Sequence, residues 1–135
     1  WHAVIEQKLN GSFACIKAAG SILKKQDNGA IINLCSGLEH LATPWMTHYA
    51  SADAGLVGVI RVIASDLRVA KSKVTANLIE IGSHELLPLA EEERVLAGRQ
   101  KRTSGDDIMS AIEYLVAAKT VTGQHIMLDG DTYYI

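Results

Sequence analysis

Three short apolar runs alternate with three longer stretches of helical character, and this alternation restricts the chain to few folds. The runs are Ala30–Cys35, Val74–Ile81 and His125–Leu128, each closed by a glycine-containing turn. Strands that are apolar on both sides are typical of parallel sheets covered by helices on both faces. The order helix, strand, helix, strand, helix, strand therefore predicts an α/β fold with right-handed crossovers. Three such strands form half of a doubly wound sheet, with an open edge at the first strand.

The first and third helices are predicted from apolar periodicity and end signals. In residues 1–26 apolar side chains recur four apart, and two lysines followed by Asn28-Gly29 provide the cations and the turn that end a helix. Ser104 and Asp107 form an S-x-x-D capping box that opens an amphipathic helix.

The second helix, from about Thr47 to Ala70, is apolar on nearly every side between residues 54 and 64. A helix that is apolar all round must be buried on both faces. We expect one face to cover the sheet and the other to contact another subunit. Gly55 and Gly58 lie inside this helix and are interpreted as packing contacts.

Composition narrows the classes of function. The chain has 135 residues, of which 48% are hydrophobic and 21% charged, as in one globular domain with a substantial core. A formal net charge of -2 gives no basic field for nucleic acid or an anionic membrane. No apolar stretch approaches the roughly 20 residues of a membrane span, and no leader is visible. Cys15 and Cys35 are interpreted as buried thiols, which favours a cytoplasmic setting.

Four stretches, in this order and spacing, resemble the short-chain dehydrogenase/reductase (SDR) family. They are L-N-G-S-F at Leu9–Phe13, G-A-I-I-N-L-C-S at Gly29–Ser36, Y-A-S-A-D-A-G-L at Tyr49–Leu56, and T-G-Q-H-I-M-L-D-G at Thr122–Gly130. The resemblance implies that residues 1–135 are one partial domain, the C-terminal half of a Rossmann-like doubly wound sheet. Nothing matches the family's glycine-rich nucleotide-binding half. NAD(P) is thus implied by the family, but no cofactor is expected to bind this chain alone.

Two members of the family's catalytic tetrad are present by position. Ser36 stands where the family's Ser holds the substrate oxygen, and Tyr49, thirteen residues later, stands where its Tyr transfers a proton. Taken singly, Ser36 would be interpreted as a strand-end turn residue and Tyr49 as an aromatic at a helix start. The family spacing favours homology to the catalytic pair.

The other two members are replaced. The family's Lys, one helical turn after the Tyr, is Asp53 here, and the family's Asn in the first helix is Lys8. A lysine favours the ionised form of a neighbouring phenol and holds the nicotinamide ribose, whereas a carboxylate disfavours that form. We predict that Lys8 and Asp53 form an ion pair across the former cofactor site. The alternative is two unrelated surface substitutions.

The segment after the second strand also departs from the family pattern, and the histidines provide no obvious substitute for the missing residues. Ile81-Gly82-Ser83-His84 replaces the family's Pro-Gly and nearby Thr, and the segment from there to Arg99 is shorter than the usual substrate-covering region. His40 and His48 are close enough in sequence to the Ser36–Tyr49 loop to line a pocket, where a histidine could serve as acid or base, but they are interpreted as loop residues. His2, His84 and His125 have no metal-ligand spacing with each other or with a carboxylate, so no metal site is assigned.

Three functions are compatible with this sequence. The first is a non-catalytic structural subunit that assembles through helices 1–26 and 47–70, as a homo-oligomer or with an active SDR alcohol or hydroxyacyl dehydrogenase. The second is an NAD(P)-dependent ketone/alcohol oxidoreductase that uses Ser36 and Tyr49 in a longer chain. The third is a small-molecule binding module built on the retained pocket. The first is preferred, and no nucleic acid or membrane partner is expected.

Overall fold

The strands form the predicted parallel sheet. The computed structural model describes residues 1–37, 40, 44–82 and 102–130. In it β1 (Ala30–Cys35), β2 (Thr75–Ile81) and β3 (His125–Leu128) lie in the order β1-β2-β3, and both pairings are parallel. The α/β prediction is confirmed, and only the start of β2 differs, by one residue.

The helices also follow the prediction, with one irregularity. The first helix, α1, is continuous through three segments: His2–Val4, a π-helical segment Ile5–Asn10, and Gly11–Gln26. The second, α2, spans Thr47–Val69, and the third, α3, spans Gly105–Ala117 behind the predicted capping box. The π-helical segment was not predicted, because a four-residue apolar spacing does not distinguish one wide turn from regular α-helix.

One face of the sheet carries the main core. Leu56 and Ile60 of α2 pack with Ala76 and Leu78 of β2, and Ile16 of α1 joins the same cluster. Side chains alternate along a strand, so Ile79 points to the opposite face. There α3 packs against β1 and β2, with Ile108 and Leu115 buried. The sheet is thus covered by helices on both faces, as its apolar strands require.

The outer face of α2 is not covered within the described chain. Val62 is 60% exposed and Val69 is 78% exposed, whereas the buried residues follow one stripe towards the sheet. The expected contact of this face with another subunit stays a prediction. No helix in the described ranges is both long enough and apolar enough to cross a membrane.

The structure tests two local interpretations, of the α2 glycines and of the cysteines. A Cβ on Gly55 would lie 3.0 Å from the Leu9 methyl carbons, so Gly55 is a packing contact, but one on Gly58 would meet no atom within 4 Å. Within the described chain Gly58 makes no such contact, because it lies on the open face of α2, and its packing role stays a prediction tied to the expected contact with another subunit. Cys35 is buried as expected, whereas Cys15 is exposed, because its neighbour Ile16 takes the core-facing position on α1.

Candidate active site

Lys8, Ser36 and Asp53 form one compact cluster. The Lys8 Nζ atom lies 2.7 Å from Asp53 Oδ1. The Ser36 hydroxyl donates to Asp53 Oδ2 over 2.5 Å and accepts from Lys8 Nζ over 3.1 Å. The Asp53 side chain is fully buried and that of Lys8 is 21% exposed. The predicted ion pair is present, and the interpretation of two unrelated surface substitutions was wrong.

The fold explains why these three side chains meet. Ser36 directly follows β1, at the carboxyl end of the sheet where parallel α/β folds place their ligand sites. Asp53 lies near the start of α2, one helical turn after Tyr49. Lys8 comes from the π-helical segment of α1, which packs against α2. Segments such as this one occur frequently at functional sites.

Tyr49 lies beside the same cluster. The Lys8 Nζ atom is 4.9 Å from the centroid of the Tyr49 ring, within the range of a cation–π contact. The His48 ring meets the Tyr49 ring edge to face at 4.8 Å between centroids. Lys8 therefore contacts both residues that the family resemblance assigns to the tetrad, Ser36 by a hydrogen bond and Tyr49 through its ring.

The hydrogen bonds of the cluster limit its chemistry. The Ser36 hydroxyl has one hydrogen, and that hydrogen is donated to Asp53. Both carboxylate oxygens of Asp53 are in turn engaged, one by Lys8 and one by Ser36. At this position the family implies a lysine that holds the nicotinamide ribose. Asp53 does not fit that role, because it brings no cation and its oxygens already have partners.

A second group of polar side chains was missed by the sequence analysis. Glu80 is fully buried in β2, and its Oε2 atom lies 2.5 Å from His125 Nε2 and 3.3 Å from His40 Nε2. His40 and His125 are therefore not isolated loop and strand residues. The available signal was Glu80 itself, the one charged residue in the central strand. The departures at Ser83 and His84 and the short segment up to Arg99 lie outside the described residues.

Sequence and structure comparisons agree with this fold. The family model for short chain dehydrogenase matches residues 1–94. The chain belongs to the short-chain dehydrogenase/reductase family.

Individual relatives show how much of a whole family member is present. A 3-oxoacyl-(acyl-carrier-protein) reductase of Synechocystis sp. is 31% identical over 96% of this chain and 55% of its own length. A D-beta-hydroxybutyrate dehydrogenase of Rhizobium meliloti is 32% identical over 96% of this chain and 58% of its own. The chain thus spans about half the length of the curated relatives it matches.

Solved structures have the same fold. The crystal structure of a 3-oxoacyl-(acyl-carrier-protein) reductase from Brucella melitensis, determined with bound NAD, superposes with a TM-score of 0.84. The match covers all of this chain and 52% of that one, at 20% sequence identity. At this identity the likeness concerns the Rossmann-like fold alone.

Proposed function

We propose that this chain is part of a catalytically degenerate SDR protein, a structural subunit that supports an active SDR alcohol or hydroxyacyl dehydrogenase. The observation that carries the proposal is the Lys8–Asp53 ion pair with Ser36 bound to its carboxylate. In this arrangement the Ser36 hydroxyl donates its hydrogen to Asp53 of the ion pair rather than to a substrate oxygen. The lysine charge is neutralised by Asp53, which leaves no net cation from this pair to promote ionisation of Tyr49.

The assembly part of the proposal is supported by apolar surface on the two long helices. Phe13 and Ile22 of α1 are 47% and 60% exposed, and Val62 and Val69 of α2 are 60% and 78% exposed. A groove of about 380 Å³ runs between α1 and α2, with Phe13 and Ile63 in its wall. Apolar area of this kind on neighbouring helices favours helix–helix association between subunits.

A second function, an NAD(P)-dependent oxidoreductase acting through Ser36 and Tyr49, is favoured by one observation. The Lys8 ammonium lies 4.9 Å from the Tyr49 ring centroid, so a cation is still present beside the phenol. In this alternative Lys8, which lies on α1, would provide the positive charge that the family's lysine provides from α2. Asp53 opposes that role, because it lies nearer to Lys8 than the ring does.

The purified full-length protein separates the two functions. Reduced nicotinamide cofactor fluorescence measures binding, and reduction of a panel of ketones and 3-oxoacyl thioesters measures turnover. The structural subunit predicts no turnover above background and no loss of any signal in Tyr49→Phe. Turnover that disappears in Tyr49→Phe would establish the oxidoreductase instead.

Tyr114→Phe is the matched control for this experiment. Tyr114 is a 55% exposed tyrosine on α3, away from the cluster, so the same chemical change should leave any activity unaltered. Equal loss of activity in both tyrosine variants would indicate a general effect on folding, which far-ultraviolet circular dichroism would detect.

A further inference from the structure

Cys35, His40, Glu80 and His125 form a second cluster, which we call the strand-end cluster. Cys35 pairs with Glu80 across β1 and β2, so their side chains share one face of the sheet. His125 pairs with Leu78, two residues before Glu80, and therefore shares that face too. The parallel register thus brings one side chain from each of the three strands together, and His40 approaches from the segment after β1.

The donor atoms of this cluster are close together. One ligand atom each from Cys35, Glu80 and His125 lies within 4.8 Å of the other two. His40 Nε2 is 3.3 Å from Glu80 Oε2, and the rings of His40 and His125 stack at 6.1 Å between centroids. Donors about 2.0–2.3 Å from a single zinc ion are roughly 3.3–3.8 Å apart in a tetrahedron. The His40–Glu80 separation already fits this range, whereas the Glu80–His125 separation of 2.5 Å would have to widen and separations of up to 4.8 Å among Cys35, Glu80 and His125 would have to shorten.

Burial of Glu80 is an independent reason to expect a cation. Its side chain is fully buried, and its Oε1 atom has no hydrogen-bond partner among the residues that the structure describes. A carboxylate removed from water needs a compensating charge. A protonated histidine would supply one charge and a divalent ion two, and the two cases can be distinguished experimentally.

The donor types select the metal. A thiol, two imidazoles and a carboxylate are the ligands that Zn²⁺ takes in four-coordinate sites, whereas Mg²⁺ and Ca²⁺ prefer all-oxygen surroundings. His40 is 43% exposed and provides a path from solvent to the buried ligands. We propose that the strand-end cluster binds one Zn²⁺ ion through Cys35, His40, Glu80 and His125. The Cys35 thiol proton is released to solvent on binding, and the four protein ligands make the site structural.

Cobalt substitution tests the site directly. The full-length protein is stripped with a chelator, reduced, and titrated with Co²⁺ and then Zn²⁺. We expect one Co²⁺ per chain, a thiolate-to-cobalt charge-transfer band in the near ultraviolet, and loss of that band as Zn²⁺ displaces Co²⁺. A wild-type protein that shows no such band and retains no zinc through gel filtration overturns the proposal, and leaves a proton as the charge that balances Glu80.

Variants assign the ligands. Cys35→Ser should abolish the charge-transfer band, while Cys15→Ser, at the exposed cysteine of α1, should leave band and affinity unchanged. His40→Ala is the variant least harmful to folding, because His40 is partly exposed, and it should weaken Zn²⁺ binding by about tenfold or more. Full affinity in His40→Ala, or loss of the band in Cys15→Ser alone, contradicts the four-ligand site.

Discussion

Asp53 is the residue on which the candidate site depends. A fully buried carboxylate is stable only with a partner, and here a single ammonium and a single hydroxyl supply all its described contacts. Lys8, by contrast, is 21% exposed and keeps some hydration. Removal of the Lys8 ammonium should therefore lower the free energy of unfolding by more than removal of one partner from an exposed ion pair does.

Lys8→Met tests this asymmetry. The change keeps most of the side-chain volume but leaves the Asp53 charge buried with only Ser36 as partner, so unfolding free energy should fall by about 2–3 kcal/mol, below the 3–5 typical of fully buried pairs because water reaches Lys8. Urea denaturation of both proteins at neutral pH measures the difference. Lys17→Met, an exposed lysine of the same helix, is the control. Equal effects of the two variants would contradict a structural role for the pair.

Contacts in the candidate site could be predicted where charged residues occupy positions of a family motif. The Lys8–Asp53 ion pair followed from motif spacing and opposite charge, and the proximity of Ser36 and Tyr49 to this pair followed from the same spacing. The hydrogen bond from Ser36 to Asp53 did not, because it depends on how α2 sits against the end of β1. The contacts of Glu80 with His40 and His125 could not be predicted either, since these histidines lie 40 and 45 residues away in sequence and only the folded chain brings them to Glu80.

The crossing of α1 and α2 depends on one glycine. At Gly55 a Cβ would lie 3.0 Å from both Leu9 methyl carbons, whereas at Gly58, one turn away, it would meet nothing within 4 Å. This close approach brings the π-helical segment, and with it Lys8, against the start of α2. The glycine pair therefore offers two identical substitutions that differ only in their surroundings.

Gly58→Ala should stabilise the chain by about 0.5–1 kcal/mol, because alanine loses less conformational entropy in a helix. Gly55→Ala has the same entropic advantage, but the new methyl group must displace Leu9. We therefore expect overpacking to lower the free energy of unfolding by about 1 kcal/mol in total. Thermal denaturation at one low protein concentration, which minimises any effect of assembly, compares them. An equal rise in stability for both variants would show that Leu9 moves aside freely.

The capping box of α3 gives a pH prediction. The Ser104 hydroxyl and backbone N–H donate to Asp107 Oδ2 over 2.7 and 3.0 Å, and these hydrogen bonds lower the pKa of the Asp107 carboxyl from its ordinary 3.8. The unfolded chain therefore binds this proton more readily, so the stabilisation is present above pH 3.8 and disappears as pH falls through the lower folded pKa. The stability gap between wild type and Asp107→Asn should narrow over that acid range in urea titrations. The same comparison in a Ser104→Ala background should vary less with pH.

Among the elements, those with strong end signals were predicted best. The strands were placed to within one residue, because glycine-containing turns bound short apolar runs, and the Ser104 cap fixed the start of α3. The π-helical segment was not predicted, since one wide turn leaves the apolar spacing of the helix unchanged.

The molecule as a whole presents more apolar helix surface than its own core requires. In the Gly11–Gln26 segment of α1 only Ile16 is buried, and the outer face of α2 carries exposed valines. Ile16 lines the groove between the two helices, and the α2 side of the groove is formed by Ile63, Asp66, Leu67 and Ala70 rather than by these valines. A subunit that assembles through α1 and α2 would bury this surface. A measurement of the oligomeric state therefore tests the assembly part of the proposed function.

Val62→Asp should weaken assembly without disturbing the fold, because Val62 is 60% exposed in the chain and would become buried in a complex. A charge placed in a dehydrated interface should raise the dissociation constant at least tenfold, equivalent to about 1.4 kcal/mol. Analytical ultracentrifugation of the full-length protein, alone and mixed with a relative that retains the complete tetrad, measures both kinds of assembly. Val116→Asp, at a 48% exposed valine on α3, is the matched control and should assemble as wild type does. A wild-type protein that stays monomeric alone and in the mixture would contradict assembly through α1 and α2, as would equal disruption by the two variants.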